Sequence, residues 1–298
     1  MNIASCSLLL PDDFRPIDIL SFHHRDVLAV AEAVDANTLR KGILWNGSPA
    51  CLTIRFDKSC AQVALAIDGT VGVNGTEALR KLAQRMLGLN QPIAEFELRY
   101  RHHPQLGILI ANQPGLRVPV AASIFEALSW AIICQQISVS VAVTIRRKLI
   151  QLAALRHSSG LYCYPDAQHL EGFSENDLRQ AGFSQNKARC LLTLSRMIVA
   201  GELMLEYTGE ELAIDRIREQ LLKIRGIGPW TVNYALLRGF GWLDGSLHGD
   251  LAVRRGLQKL LGTTDPVSEQ QAQQWLAPFS PWRALVAVHL WAFLSISA

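Results

Sequence analysis

The segment "LHGDLAVRRGL" (247–257) presents a single carboxylate, Asp250, on a glycine-bearing, basic stretch just ahead of an apolar pattern at Leu251, Val253 and Leu257. A lone acid in this setting has two ordinary uses. It can cap the helix that follows, or it can stabilise a positive charge and direct water at a ligand held in a cleft. Trp230 and Tyr234 upstream and Trp291 downstream supply rings that could line such a cleft. Core packing is the ordinary alternative for each of them. His248 reads as a loop histidine, His289 as a core histidine satisfied by its neighbours, and Arg283 as a partner for either a helix terminus or a phosphate. The six cysteines (Cys6, Cys51, Cys60, Cys134, Cys163 and Cys190) form no CxxC pair and stop at Cys190. They read as reduced thiols, and no cysteine-ligated zinc or iron–sulfur motif fits the C-terminal third.

The elements that must position these residues come in two textures. Hydrophobic residues make up 49% of the 298, enough for a globular chain with a sizeable core. A net charge of +3 permits a polyanionic partner without demanding one, so any nucleic-acid reading has to rest on motifs. The first hundred residues read as a small α+β unit. "CLTIRFD" (51–57) and "QVALAID" (62–68) have the pattern of half-buried strands joined by a turn at "KSCA". "DVLAVAEAVDA" (26–36) and "EALRKLAQRMLGL" (77–89) have apolar residues at helical spacing, with Leu79, Leu82, Met86 and Leu87 along one side of the second. A looser stretch follows, with the boundary near 100–115. From Val120 onward the pattern is helical. Ser123 and Glu126 form a predicted capping box, the helix runs to Cys134, and "QQIS" interrupts it. In the next helix Arg146, Arg147 and Lys148 read as a solvated face. Ser174 and Ser184 read as caps, with Gly182 and Gly201 as stops. The N-terminus "MNIASCSLLLPDDF" lacks a basic leader region, and the apolar helices carry polar residues, so the expectation is a cytoplasmic chain with no membrane segment.

Between these texts lies "LLKIRGIGPWTVNYALLRGFG" (221–241). Ile214, Ile217, Leu221 and Ile224 make one helical face before the break, and Trp230, Tyr234 and Leu237 another after it. Gly226 and Gly228 suit positive φ and close backbone approach, and Pro229 suits the first turn of the second helix. The result is a helix–tight turn–helix hairpin whose outward amides, with the helix dipole, could hold a phosphate. An ordinary glycine turn between packed helices is the alternative on turn chemistry alone.

The hairpin followed by Asp250 resembles the helix-hairpin-helix DNA glycosylase superfamily. "PGLRVPVAASIFEALSWAIICQQISVSVA" (114–142) and "PWRALVAVHLWAF" (281–293) are similar to its inducible 3-methyladenine glycosylase II type. The resemblance implies a mostly α fold with an N-terminal α+β domain similar to half of the TATA-binding protein (1–105). It implies a helical domain carrying the hairpin (106–242), a C-terminal helical part completing a cleft (243–298), and a linker helix region at 91–117. It implies that Asp250 is catalytic and that Trp291, Trp230 and Tyr234 line the base pocket. Gly226, Gly228, Thr231 and Arg254 would contact DNA, and Gln136 would stand where relatives place a leucine wedge. A monovalent cation on the backbone carbonyls of Leu222, Ile224 and Ile227 would support the hairpin, with no other cofactor and no iron–sulfur cluster.

The activity implied is base excision on double-stranded DNA by a monomer at the nucleoid. Alkylated purines such as 3-methyladenine, and also 7-methylguanine, would be flipped out and their N-glycosidic bond hydrolysed. Indole faces suit such cationic bases by roughly 0.5–2 kcal/mol. Trp230 stands where strand-cleaving members carry a lysine, so no lyase step is expected. Gly249 stands where relatives of this type usually carry an acid. The competing readings are a non-catalytic hairpin protein that grips duplexes, and a glycosylase for deaminated or oxidised bases.

Overall fold

The computed structural model describes residues 2–205 and 211–295. The N-terminal part is a five-stranded antiparallel sheet in the order β1-β5-β4-β3-β2, with β1 Asn2–Leu9, β2 Glu32–Val34, β3 Thr38–Trp45, β4 Ser48–Phe56 and β5 Cys60–Ile67. Helices α1 (Pro16–His23) and α2 (Gly75–Met86) accompany it. Strand alternation makes its inner face. Leu52 pairs with Leu65 and Ile54 with Val63, and all four are buried against Leu79, Ala83 and Met86 of α2. The two strands and the second helix expected from sequence are present, and "KSCA" turns the hairpin between β4 and β5.

Residues 26–36 do not form the expected helix. The Asp26 carboxylate accepts from the Leu28 backbone N–H, Ala29 sits at φ 49, and the chain then enters β2 and pairs with β3. Periodicity over so short a segment was overridden by sheet pairing and by an Asx turn.

The helical part follows as α3 (Ile93–Tyr100), α4 (Leu106–Asn112), α5 (Ile124–Cys134), α6 (Val139–Ala153), α7 (Ala167–Glu171), α8 (Glu175–Gln180) and α9 (Gln185–Val199). It continues with α10 (Glu211–Leu222), α11 (Pro229–Ala235) running into a π-helical turn (Leu236–Phe240), α12 (Leu251–Leu261), α13 (Glu269–Leu276) and α14 (Arg283–Ser295). One continuous apolar core joins these elements from Ile93 to Leu290, separate from the core between the sheet and α2. The stretch read as looser, 90–107, contains α3 and the start of α4, and the region 91–117 holds these two short helices, buried through Phe96, Leu106 and Leu109. Ser174 and Ser184 cap α8 and α9 as expected, and Gly182 and Gly201 take positive φ after them.

The cationic end of α6 is not a solvated face. Arg146 is buried and donates to both oxygens of Glu32 and to Glu126, at 2.8–2.9 Å. Lys41, 1% exposed on the inner face of β3, donates to the same two carboxylates. Arg147 grips Asp26, and only Lys148 points to water. The helix α5 cap is accordingly half of the expected box. Ser123 accepts from the Glu126 backbone N–H, but the Glu126 side chain serves the ion cluster. Burial pushes the Glu32 and Glu126 carboxyls up, and the Arg146 and Lys41 cations more than reverse this, leaving both below the usual range. Burial lowers His23, so it joins the cluster uncharged near neutral pH.

Lys41→Met removes one cation and leaves buried carboxylates underpaired. This should cost ~3–5 kcal/mol in urea unfolding at pH 7. Depressed carboxyl values mean that the cluster's stabilisation is complete above the unfolded-state value of about 4.3 and is lost as pH falls through the folded values. In the variant a carboxyl can take up a proton more readily, so its deficit against wild type should shrink between pH 7 and pH 5.

Candidate active site

The hairpin forms as the sequence suggests. Ile214, Ile217, Leu221 and Ile224 are buried under it, and Pro229 opens α11. Its two glycines differ in role. Gly226 takes φ +97, while Gly228 has φ −103 and ψ 176, an extended conformation open to any residue. A Cβ at Gly228 would meet nothing within 4 Å, so this glycine leaves space above the amides opening α11 and is not needed for the turn. Of the proposed cation ligands, the Ile224 carbonyl accepts from the Ile227 N–H at 3.0 Å. One carbonyl lone pair remains for a cation, and three neutral oxygens suit a monovalent ion.

A second loop braces the turn. The Gln135 side-chain amide donates to the Gly226 carbonyl at 2.8 Å and to the Thr231 hydroxyl at 2.9 Å. Lys187 Nζ donates to the Ile133 and Gln135 carbonyls at 2.8 and 2.6 Å, closing the C-terminus of α5. Thr231 is 2% exposed and turned inward to Gln135, so its hydroxyl is engaged within the protein and is not presented to a phosphate. Gln136 stands exposed at φ 56, at the tip of the interruption between α5 and α6. Arg254 is half-buried and reaches the Val267 carbonyl only at 3.5 Å, while Arg255 is exposed.

Asp250 is both a cap and the centre of a polar cage. Oδ1 accepts from the backbone N–H of Ala252 and Val253 at 2.9 and 3.0 Å, which caps α12. The Trp291 indole N–H also donates to Oδ1, at 3.0 Å, and the Trp230 indole N–H donates to Oδ2, at 2.9 Å. Two packing features bring these groups together. Gly256 lets α12 approach α14 so closely that a Cβ there would lie 2.7 Å from the Leu290 carbonyl, setting Trp291 beside Asp250. The loop before Asp250 is tied to α11 by Asn233, whose side chain donates to the Ser246 carbonyl at 2.8 Å. His248 hydrogen-bonds Ser246 at 2.9 Å within that loop.

The aromatic residues form one wall. Tyr234 stacks on Trp230 with centroids 5.2 Å apart and lies 6.1 Å from Trp291. Its hydroxyl accepts from the Trp130 indole N–H at 3.0 Å. Trp130, Phe22 and Arg25 were not singled out from sequence. Phe22 and Arg25 arrive from the sheet domain, and Arg25 lies 4.3 Å over Phe22 and 5.5 Å over Trp130. Only a contact 105 or more residues distant in sequence joins them to Trp130, which local patterning does not record. His289 is a core residue stacked on Phe96, its protonation pushed down to about 3 by burial. Among the described residues its ring nitrogens lack a hydrogen-bond partner, so it is packed but not satisfied. Arg283 pairs with Asp244 through two hydrogen bonds of 2.8 Å, which decides its role.

A carboxylate held by two indole and two backbone N–H groups thus stands beside an aromatic wall, next to a glycine hairpin that opens α11. By sequence comparison, the chain belongs to the HhH-GPD superfamily of base excision DNA repair proteins, whose model matches residues 129–281, and residues 9–123 match the AlkA N-terminal domain. DNA-3-methyladenine glycosylase 2 of Escherichia coli is 30% identical over 62% of this chain and 63% of its own length. A putative DNA-3-methyladenine glycosylase of Bacillus subtilis is 27% identical over 62% and 64%. The matched region thus spans somewhat less than two thirds of either relative. Among solved structures, the 3-methyladenine DNA glycosylase of Archaeoglobus fulgidus superposes with a TM-score of 0.81 at 20% identity, over 98% of this chain and 99% of that one. An 8-oxoguanine glycosylase/lyase of Clostridium acetobutylicum in complex with double-stranded DNA gives 0.74 at 17% identity, over 98% and 95%. At these identities the likeness shows the fold.

The capping and cage roles of Asp250 are separable. Asn keeps an acceptor oxygen for the α12 amides but sets its NH2 against the Trp230 indole N–H, so Asp250→Asn should lose about 1–3 kcal/mol through the cage while keeping the cap. Asp250→Ala should lose about 0.5–2 kcal/mol through the cap, both read by thermal denaturation.

Proposed function

We propose that this chain is a DNA glycosylase that removes alkylated purines, 3-methyladenine and 7-methylguanine among them, from double-stranded DNA by hydrolysis. The observation that carries the reading is Asp250, fixed by the indoles of Trp230 and Trp291 at the edge of the aromatic wall. A base inside a duplex is out of reach, so the nucleotide must rotate out, at a cost of a few kcal/mol that is least for a damaged pair. The free amides around Gly226 and Gly228, with Arg254 and Arg255 nearby in sequence, would hold the backbone phosphates. A monovalent cation on the Leu222, Ile224 and Ile227 carbonyls would stiffen the turn. Gln136, exposed at its loop tip, would fill the gap in the stack.

As the glycosidic bond breaks, positive charge develops on the sugar. Oδ1 of Asp250 already takes three N–H donors, and Oδ2 takes one. Oδ2 is therefore the oxygen with capacity to face that charge or to orient the attacking water. The proposed reaction includes no Schiff-base step, for two reasons. The lysine position of strand-cleaving relatives is Trp230, and Lys187 is committed to two carbonyls at the end of α5. The enzyme would act as a monomer on nucleoid DNA and leave an abasic site.

Asp250→Asn should keep its affinity for an abasic-site duplex and lose release of 3-methyladenine by about two or more orders of magnitude. Free base released at the wild-type rate would remove Asp250 from the mechanism. On a denaturing gel run without alkali or heat the wild-type product strand should stay intact, and borohydride should trap no covalent complex. A cut or trapped strand would replace hydrolysis with a lyase route.

A further inference from the structure

Where the sheet domain meets α5 and α6 lies a cleft lined by Phe22, Arg25, Trp130, Val143 and Arg238. It shares its walls with the aromatic site. Trp130 bonds the Tyr234 hydroxyl, and Arg238 lies over the Trp291 ring at 5.6 Å, the same indole that holds Asp250. The charges at its floor are matched: Glu32 and Glu126 by Lys41 and Arg146, and Asp26 by Arg147.

The two remaining cations are not matched. Among the described residues neither Arg25 nor Arg238 has a carboxylate within 4.0 Å, and Arg238, 7% exposed, has no partner for Nε. Both guanidiniums rest on rings, and Arg238 also donates Nη1 to the Pro119 carbonyl at 3.0 Å, so Arg25 is the one whose N–H groups have no acceptor among the described residues. Arg25 lies 4.3 Å from the Phe22 centroid and 5.5 Å from Trp130, and Arg238 lies 4.7 Å from Phe22 and 5.6 Å from Trp291. Burial lowers Arg238 only to about 10, so it stays charged at neutral pH.

A cationic base gains from an aromatic face through the ring quadrupole. Here Phe22, Trp130 and Trp291 already carry the protein's own cations, and a ring-methylated base would bring a further positive charge against two unpaired guanidiniums. An uncharged base meets no such repulsion, and its ring nitrogens or carbonyl oxygens can accept from the free N–H groups. We propose that Arg25, backed by Arg238, sets the selectivity of the site, so that uncharged modified purines are taken in preference to ring-methylated cationic ones. This rests on the glycosylase reading above and concerns the order among its substrates.

The test uses the full chain and four duplexes, each with one lesion: hypoxanthine and 1,N6-ethenoadenine as uncharged bases, 7-methylguanine and 3-methyladenine as cations. Single-turnover release is measured for wild type, Arg25→Gln, Arg25→Glu and Arg25→Lys. The ratio of uncharged to cationic release should fall about tenfold in Arg25→Gln, further in Arg25→Glu, and stay within about threefold of wild type in Arg25→Lys. Equal rate losses on all four duplexes, or a Lys variant as altered as the Gln variant, would overturn the proposal and leave the glycosylase reading standing. Wild-type protein that frees none of the four bases would overturn that reading and this one with it.

Discussion

The site depends on holding one carboxylate oriented and half out of water. An isolated carboxylate moved away from solvent is strongly disfavoured unless donors replace its hydration. Asp250 meets that condition with four N–H groups, two from the first turn of α12 and two from indoles, and sits at the positive end of that helix. The four donors come from three structural commitments. Trp230 is placed by the hairpin, Trp291 by the close α12–α14 crossing at Gly256, and the amides by the cap itself. The helical core can thus be viewed as a frame that brings three chain segments to one oxygen pair.

The sheet domain matters to the site through charge. Lys41 and Glu32 on the sheet and Glu126 and Arg146 on the helices meet in a dry junction, and such a junction is worth little as net stabilisation. Its effect is geometric. The shared Glu32 also meets His23 of α1 at 3.5 Å, which ties the cluster to the segment whose Phe22 and Arg25 lie by Trp130. Apolar packing alone would tolerate small sliding between the two units. A bidentate guanidinium shared by two carboxylates does not.

What could be read from the sequence followed from how local each signal was. The Gly-rich turn, Pro229, the Ser123, Ser174 and Ser184 caps, and the Asp250 cap all depend on residues within one turn, so they were legible. The 26–36 segment was misread because its helical spacing competes with a strand partner in β3 that the local pattern does not reveal. Arg146 was misread for a related reason: a basic triplet at a helix end is usually solvated, and its carboxylates lie 114 and 20 residues away in sequence. A signal was nonetheless available in "TLRKGILW", where Lys41 falls in register with Leu39, Ile43 and Trp45 on an inward face. A lysine in an otherwise apolar alternation asks for a buried acid. Gly228 shows the converse, since a glycine that suggests positive φ is here kept for the open space over the α11 amides.

The same donors that hold Asp250 bear on how it would act. Oδ1 takes three N–H donors, more than its two lone pairs can serve singly, and Oδ2 takes one from Trp230. In the proposed reaction Oδ2, with one donor, would face the cationic sugar, and the carboxylate's field would be in place throughout, with no reorganisation needed as charge develops.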